Sequence, residues 1–271
     1  MTGVTGVTGA DAQGGQMAGS PATGIVISDA VDDIIQSIAR FTRAAAALTD
    51  TDVQAPSRLP RWTRGHVLAH VTSSADAYSR LLCQARTDHR GSHRAADVAA
   101  LARAVEEGAV LPAAELAGQV RSSLDGFAQA ARTMPTDAWK VMVTAMAGWR
   151  HPAWYTLRRC LRELETHHLD LDVGYRTSDW PTGYVAWALG DTLAALKARS
   201  FPLASAEATD LGLTWDMSAD GPALAGPGHA LLGWLTGRAP ADGLVSDRPP
   251  TALPMPPAWP QPPVPGWGRD S

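Results

Sequence analysis

Residues 162–172 read RELETHHLDLD, and this stretch decides the architecture. Together with the residues before it, it carries an apolar stripe at helical spacing: Leu157, Leu161, Leu164, His168 and Leu171. The same helix sets Glu163 and His167 at i and i+4, on one face, with Cβ atoms about 5–6 Å apart. Pro152 predicts the start of this helix and Gly174 its end, because proline suits a first turn and glycine the position after the last one. His168 falls on the leucine stripe and is expected as a hydrogen-bonded core residue. Asp170 lies one turn past His167 and reads either as an acceptor behind that imidazole or as a solvated cap.

Three further stretches carry the same period. In the first, Val31, Ile34, Ile35, Ile38, Phe41 or Thr42, Ala45 and Leu48 share a face, with Ser28 and Asp29 as expected caps. A second runs from about Thr63, its expected N-cap, to Arg86, with Val67, Val71, Ala75, Tyr78 and Leu82 in register. Pro112 sits in the first turn of a third, striped by Leu116, Val120, Leu124, Phe127 and Ala131 and ended by Pro135. A short helix near residues 95–107 precedes it, and an extended piece with Trp139, Val141 and Val143 follows. Four long amphipathic helices with a long crossover predict an antiparallel four-helix bundle.

After Trp180-Pro181 the texture changes. A helix is expected over about Thr182–Ser200, a strand in LGLTWDM (211–217), and a short helix in PGHALLGWLTGR (227–238) ended at Gly237. The fold class is therefore α+β, mainly α. A bundle over residues 25–180 precedes a small α+β unit over 181–247. Residues 1–24, rich in Gly, Thr and Ala, are expected to be a disordered extension, and the Pro-rich residues 248–271 an extended tail.

Composition bounds the function. A chain of 271 residues that is 45% apolar can bury a substantial core. Its 23 basic residues against 27 acidic ones leave no surplus to neutralise a phosphate backbone, so nucleic acid is not an expected partner. No signal-peptide pattern and no run of ~18 apolar residues occurs, so no membrane association is expected. Two distant cysteines, Cys83 and Cys160, form no disulfide framework and suit a reducing, cytoplasmic setting; both are expected as core fillers. The absence of a GxSxG elbow, a Gly-rich phosphate loop and an HExxH pair argues against serine hydrolases, nucleotide enzymes and zincin proteases.

Ligand-type residues concentrate in two segments. One is WTRGHVLAHV (62–71), with His66 and His70; the other is 162–172, with Glu163, Glu165, His167, His168, Asp170 and Asp172. Glu163 and His167 can chelate one ion, and His70 from a facing helix can supply a third ligand. His₂Glu is a catalytic zinc set that leaves a coordination position open. Neighbouring His168 points about 100° away from His167 and cannot join it. A lone ExxxH or HxxxH pair is also common as a solvated ion pair, so spacing alone does not select a metal site. His89 and His93 share the spacing but sit in a polar loop.

With these residues in view, the chain resembles the mycothiol-dependent maleylpyruvate isomerase family, within the DinB-like metal-binding four-helix bundles. LPRWTRGHVLAHV (59–71) is similar to the family's Trp-Thr-Arg-x-His-x-x-x-His segment, and RELETHHLDL (162–171) to its Arg-Glu-x-x-x-His-x-x-Asp-Leu segment. GPGHALLGWLTGRAPADGL (226–244) is similar to its C-terminal stretch. The resemblance spans roughly residues 28–260. It implies metal ligands at His70, Glu163 and His167, a sterol-carrier-like C-terminal α/β unit, and a functional arginine at Arg238. It further implies a divalent metal, zinc by preference, and mycothiol as cofactors. The implied reaction converts maleylpyruvate to fumarylpyruvate by reversible thiolate addition. Arg238 would pair with a substrate carboxylate, and its alternative reading is a helix C-terminal cation. His66 would contact the thiol or assist proton movement, or else serve the surface. One departure stands out: where the family has an apolar or Trp-containing stretch with one arginine, this chain reads YTLRRCLRE (155–163), which places the difference in the pocket wall. The same residues also suit a mycothiol S-transferase acting on an electrophile, or a non-catalytic metal-binding regulatory protein.

Overall fold

The computed structural model describes residues 27–87, 98–146, 148–217, 220–249 and 253–255. Residues 1–24, most of the Pro-rich tail, and His89 and His93 lie outside the described residues.

The N-terminal half is built on α1 (Ile27–Ala46), a single-turn α2 (Asp50–Gln54), α3 (Arg64–Thr87), α4 (Val98–Ala109) and α5 (Ala113–Arg132). A 3₁₀ turn (Thr136–Lys140) leads into a two-stranded hairpin, β1 (Met142–Thr144) with β2 (Arg150–Pro152), and then α6 (Tyr155–Asp170). The four long helices form the expected bundle: α1 and α3 each pack on both α5 and α6. Their apolar stripes meet in one core, where Ile34, Phe41, Leu68, Leu82, Leu116, Leu124, Phe127, Leu157 and Leu164 are wholly buried.

The second part holds α7 (Thr182–Lys197), β3 (Ser205–Ala208), β4 (Leu213–Asp216), β5 (Ala223–Gly226), α8 (Gly228–Leu235) and β6 (Val245–Ser246). The sheet order is β4-β3-β5-β6, with β3 and β5 parallel and the other pairs antiparallel. Helix α8 packs on β3, β5 and α7, and α7 rests on α6. The chain is thus mainly helical, a four-helix bundle followed by a small α/β part. No helix among the described residues is long and apolar enough to cross a membrane.

Several boundaries differ from the sequence expectation. Ser28 and Asp29 lie inside the first turn of α1 rather than capping it. Pro112 is the N-cap of α5, not part of its first turn, and the free Ala113 N–H donates to Asp50 at 2.7 Å. Trp139 belongs to the 3₁₀ turn. Pro152 closes β2, so α6 begins three residues later, at Tyr155. The hairpin was hidden because Trp149, Arg150 and His151 continue the polar–apolar texture of a helix start. Helix α6 stops at Asp170; the left-handed residue after its C-cap Leu171 is Asp172 (φ 56°), not Gly174. Cys160 fills the core as expected, whereas Cys83 is exposed.

The early end of α6 positions the site. Two arginines from the segment before α3 and its first turn close its C-terminus. Arg64 donates from Nε to the Leu171 carbonyl at 2.7 Å and from Nη2 to the Asp172 carbonyl at 3.1 Å. The Arg58 N–H donates to the Asp170 carbonyl, and its Nε reaches the Asp172 carboxylate at 2.9 Å. Cations at a helix C-terminus are favoured by the exposed carbonyls. These contacts fix the register of α3 against α6. Gly65 allows the close approach of α3 to the end of α4, since a Cβ there would stand 2.4 Å from the Ala109 carbonyl oxygen.

Candidate metal centre

His70 projects from α3 toward α6, where Glu163 and His167 occupy one face a turn apart. His70 Nε2 stands 2.7 Å from Glu163 Oε1, and His167 Nε2 is 3.4 Å from the same oxygen. The three donor atoms all lie within 4.8 Å of one another. The imidazole rings meet edge to face with centroids 4.8 Å apart. Two imidazole nitrogens and a carboxylate oxygen converging at this spacing match the donor set of a divalent cation site.

The electrostatics point the same way. Burial works against ionising Glu163, but the neighbouring His167 and His70 outweigh it and hold the carboxyl well below its usual range. Burial alone would lower His167; the carboxylates of Glu163 and Asp170 overcome it and raise the imidazole to about 9. A proton is thus drawn to the place where a cation would sit.

Around this trio lie residues that sequence reasoning passed over. Ser74 donates from Oγ to Glu163 Oε1 at 2.8 Å, and Tyr78 donates its hydroxyl to Oε2 at 3.4 Å. Both follow His70 at spacings of four along α3, so one helical face carries His70, Ser74 and Tyr78. Tyr78 reads as an apolar-stripe residue in sequence, which concealed its hydroxyl. Trp62 walls the other side, with its ring 5.4 Å from His70.

Asp170 resolves in favour of support behind the imidazole. It is buried, 3.0 Å from His167 Nδ1, and it accepts from Arg238 Nη2 at 3.0 Å and Nε at 3.3 Å. Burial would raise its pKa, but hydrogen bonds from His167 and Arg238 lower it. A carboxylate behind a metal-binding histidine fixes the tautomer and leaves Nε2 free to ligate.

Arg238 reaches this position through a tight helix end. Gly237, at φ 68°, follows the C-cap of α8; its N–H donates to the Trp234 carbonyl, and the Arg238 N–H donates to the Gly233 carbonyl at 2.8 Å. This is a Schellman arrangement, which needs a left-handed residue at that point. It turns the chain so that the Arg238 side chain lies over Asp170, while Nη1 donates to the Thr236 carbonyl.

His66 is tied up differently. Its Nδ1 accepts from the Thr63 N–H at 3.1 Å while the Thr63 hydroxyl accepts from the His66 N–H at 3.4 Å, a reciprocal cap at the start of α3. Its Nε2 meets Glu106 at 3.2 Å, and Trp62 stacks on the ring. His168 is a core residue held by ring contacts: it stacks on Tyr175 at 3.8 Å and meets Phe41 edge-on. Glu165 turns away from the trio, buried against Arg40 (2.6 Å) and the Tyr175 hydroxyl (2.5 Å).

Comparisons with known proteins bear on the family and the fold. The family model described as the mycothiol maleylpyruvate isomerase N-terminal domain matches residues 35–172, just over half of the chain. No curated protein matches by sequence. Two solved structures are similar in fold: the mycothiol-dependent maleylpyruvate isomerase, with a TM-score of 0.78, and a histidine-to-alanine mutant of that enzyme, with a TM-score of 0.77. Each is 21% identical to this chain, and the match covers 87% of this chain and 98% of the other. The family match includes the helices that carry His70, Glu163 and His167, and on it we conclude that the chain belongs to the mycothiol maleylpyruvate isomerase family.

Proposed function

We propose that this chain is a metal- and mycothiol-dependent isomerase that converts a cis-configured unsaturated keto-diacid of the maleylpyruvate type to its trans isomer. In this reading residues 25–180 carry the metal centre and residues 181–247 support it. The observation that carries the reading is the convergence of His70, Glu163 and His167 from two helices, backed by Asp170 and Arg238. A divalent cation there, zinc by preference, would supply Lewis acidity that brings a thiol to its thiolate form near neutral pH.

The chain's own residues prepare the place. Asp170 orients His167 and keeps its Nδ1 as the donor, so that Nε2 faces the centre. Ser74 and Tyr78 hold the Glu163 carboxylate in one rotamer. Arg238, spent on Asp170, acts as a positioning residue, and His66 positions the start of α3 one turn before His70. The sulfur comes from mycothiol: Cys160 is buried and its thiol is pushed well up by burial, which suppresses the reactive thiolate. Addition of mycothiol to the conjugated double bond, rotation and elimination return the thiol unchanged. A small-molecule substrate, a low-molecular-weight thiol and a cytoplasmic location belong to the same proposal.

The test is incubation of the purified chain with mycothiol and maleylpyruvate, with and without chelator, while following fumarylpyruvate. Turnover that is lost on chelation and in His70→Ala supports the reading. Conjugation of a test electrophile without fumarylpyruvate replaces it with an S-transferase, and bound metal with no thiol-dependent chemistry replaces it with a metal-binding protein.

A further inference from the structure

Three arginines lie close together on α6, and two have acidic partners. Arg158 reaches Asp33 at 3.6 Å, and Arg162 reaches Asp191 at 2.5 Å. Arg159 is different: among the described residues, no carboxylate stands within ion-pairing distance of it. Its guanidinium lies over two aromatic rings, 5.0 Å from the centroid of Tyr78 and 4.8 Å from that of Trp149. Its Nη1 is 3.4 Å from His151 Nε2.

His151 is built to receive that contact. It is wholly buried, and its Nδ1 stands 2.9 Å from the Pro152 carbonyl, which places the ring proton on Nδ1 and leaves Nε2 as an acceptor. Burial, aided by the Arg159 charge, pushes its pKa down to about 4, so the imidazole is neutral at physiological pH. Arg159 is therefore a half-buried cation held by three uncharged groups. The two rings contact the guanidinium and His151 meets Nη1, and among the described residues no carboxylate takes the remaining N–H groups, the kind that pair with a carboxylate in a two-pronged fashion.

The position relates this cation to the metal centre. Arg159 precedes Glu163 by four residues, about one turn or ~6 Å along α6. Tyr78 touches both, with its ring under the guanidinium and its hydroxyl on Glu163. Arg238, the residue expected to take a substrate carboxylate, is engaged by Asp170.

We propose that Arg159 binds a carboxylate of the substrate, its guanidinium set in place by Tyr78, Trp149 and His151. The inference rests on the isomerase reading and names the anionic group that the site recognises. The departure in YTLRRCLRE is then where this chain reads its substrate.

The experiment uses the zinc-loaded full chain, with maleate as a non-reacting dicarboxylate probe in calorimetric titration, and maleylpyruvate for kinetics. In Arg159→Gln the bound zinc should match the wild type, maleate should bind about 10–100-fold more weakly, and KM should rise in parallel with kcat little changed. Arg159→Lys should fall between. If the Gln variant melts early, the Lys variant decides: a several-fold loss of maleate affinity supports the proposal, and unchanged affinity overturns it. Wild-type-like maleate binding in a zinc-replete Gln variant also overturns it, as does a wild type that binds no maleate. The two readings separate cleanly. Maleate binding that depends on Arg159 without fumarylpyruvate formation sinks the isomerase and keeps the anion site. Turnover with unchanged KM in Arg159→Gln does the reverse.

Discussion

Arg238 donates to Asp170 at 3.0 Å across 68 residues of sequence, joining the end of α8 to the end of α6. Asp170 in turn faces His167 Nδ1 at the same distance. The centre is therefore supported from outside the bundle, by a residue whose place is set by the α/β part.

Replacing Asp170 with Asn should keep the shape and remove the charge. We expect metal affinity to fall about 10–100-fold, read by competition with a chromogenic chelator. Unchanged affinity would show that His167 needs no carboxylate behind it.

Metal loading should be steeply pH-dependent. In the metal-free chain His167 titrates near 9, so it is protonated at pH 7 and must release that proton to become a ligand. Affinity should rise about tenfold per pH unit below 9 and level off above it. Calorimetry at pH 7 in buffers of different ionisation enthalpy should report about one proton released from His167 per metal bound.

Acid should destabilise the fold through its buried neutral histidines. His168 is held near 4, first by burial and then by Arg40, and His151 is held near 4 by burial and Arg159. An unfolded histidine titrates near 6.5, so between pH 6.5 and 4 the unfolded chain takes up protons that the folded chain refuses. The contribution is whole above 6.5 and is lost as pH falls, by about 3 kcal/mol for each group. The melting temperature of His168→Phe, which keeps a ring against Tyr175, should fall less steeply than that of the wild type over this range; parallel curves would contradict the assignment.

Gly65→Ala should separate propensity from packing. Alanine favours a helix by about 1 kcal/mol over glycine, but here the new methyl would press on the Ala109 carbonyl. We expect a net loss of about 1–3 kcal/mol in denaturant unfolding, with weakened metal binding because His70 lies on the same helix. Net stabilisation would show that α4 can move aside.

The long helices were legible because their stripes repeat over 16 to 24 residues, and Glu163 and His167 could be placed on one face from spacing alone. What sequence could not show was mostly short or non-local. Strands β3 and β5 read SAEA and ALAG, with no β-branched residue to mark them. The end of α6 comes two residues earlier than Gly174 indicates, because Asp172 takes the left-handed position after the C-cap. Arg238 and Tyr78, which meet Asp170 and Arg159, come from distant parts of the chain, so these two contacts show only once the helices are packed.

The Schellman turn at Gly237 has a consequence for biosynthesis. The three candidate ligands are complete once residue 167 has been translated, yet the guanidinium that steadies the carboxylate behind them is encoded 71 residues later. A nascent bundle that has only just left the ribosome would hold a cation there loosely, and the grip would tighten when the segment carrying Arg238 arrives.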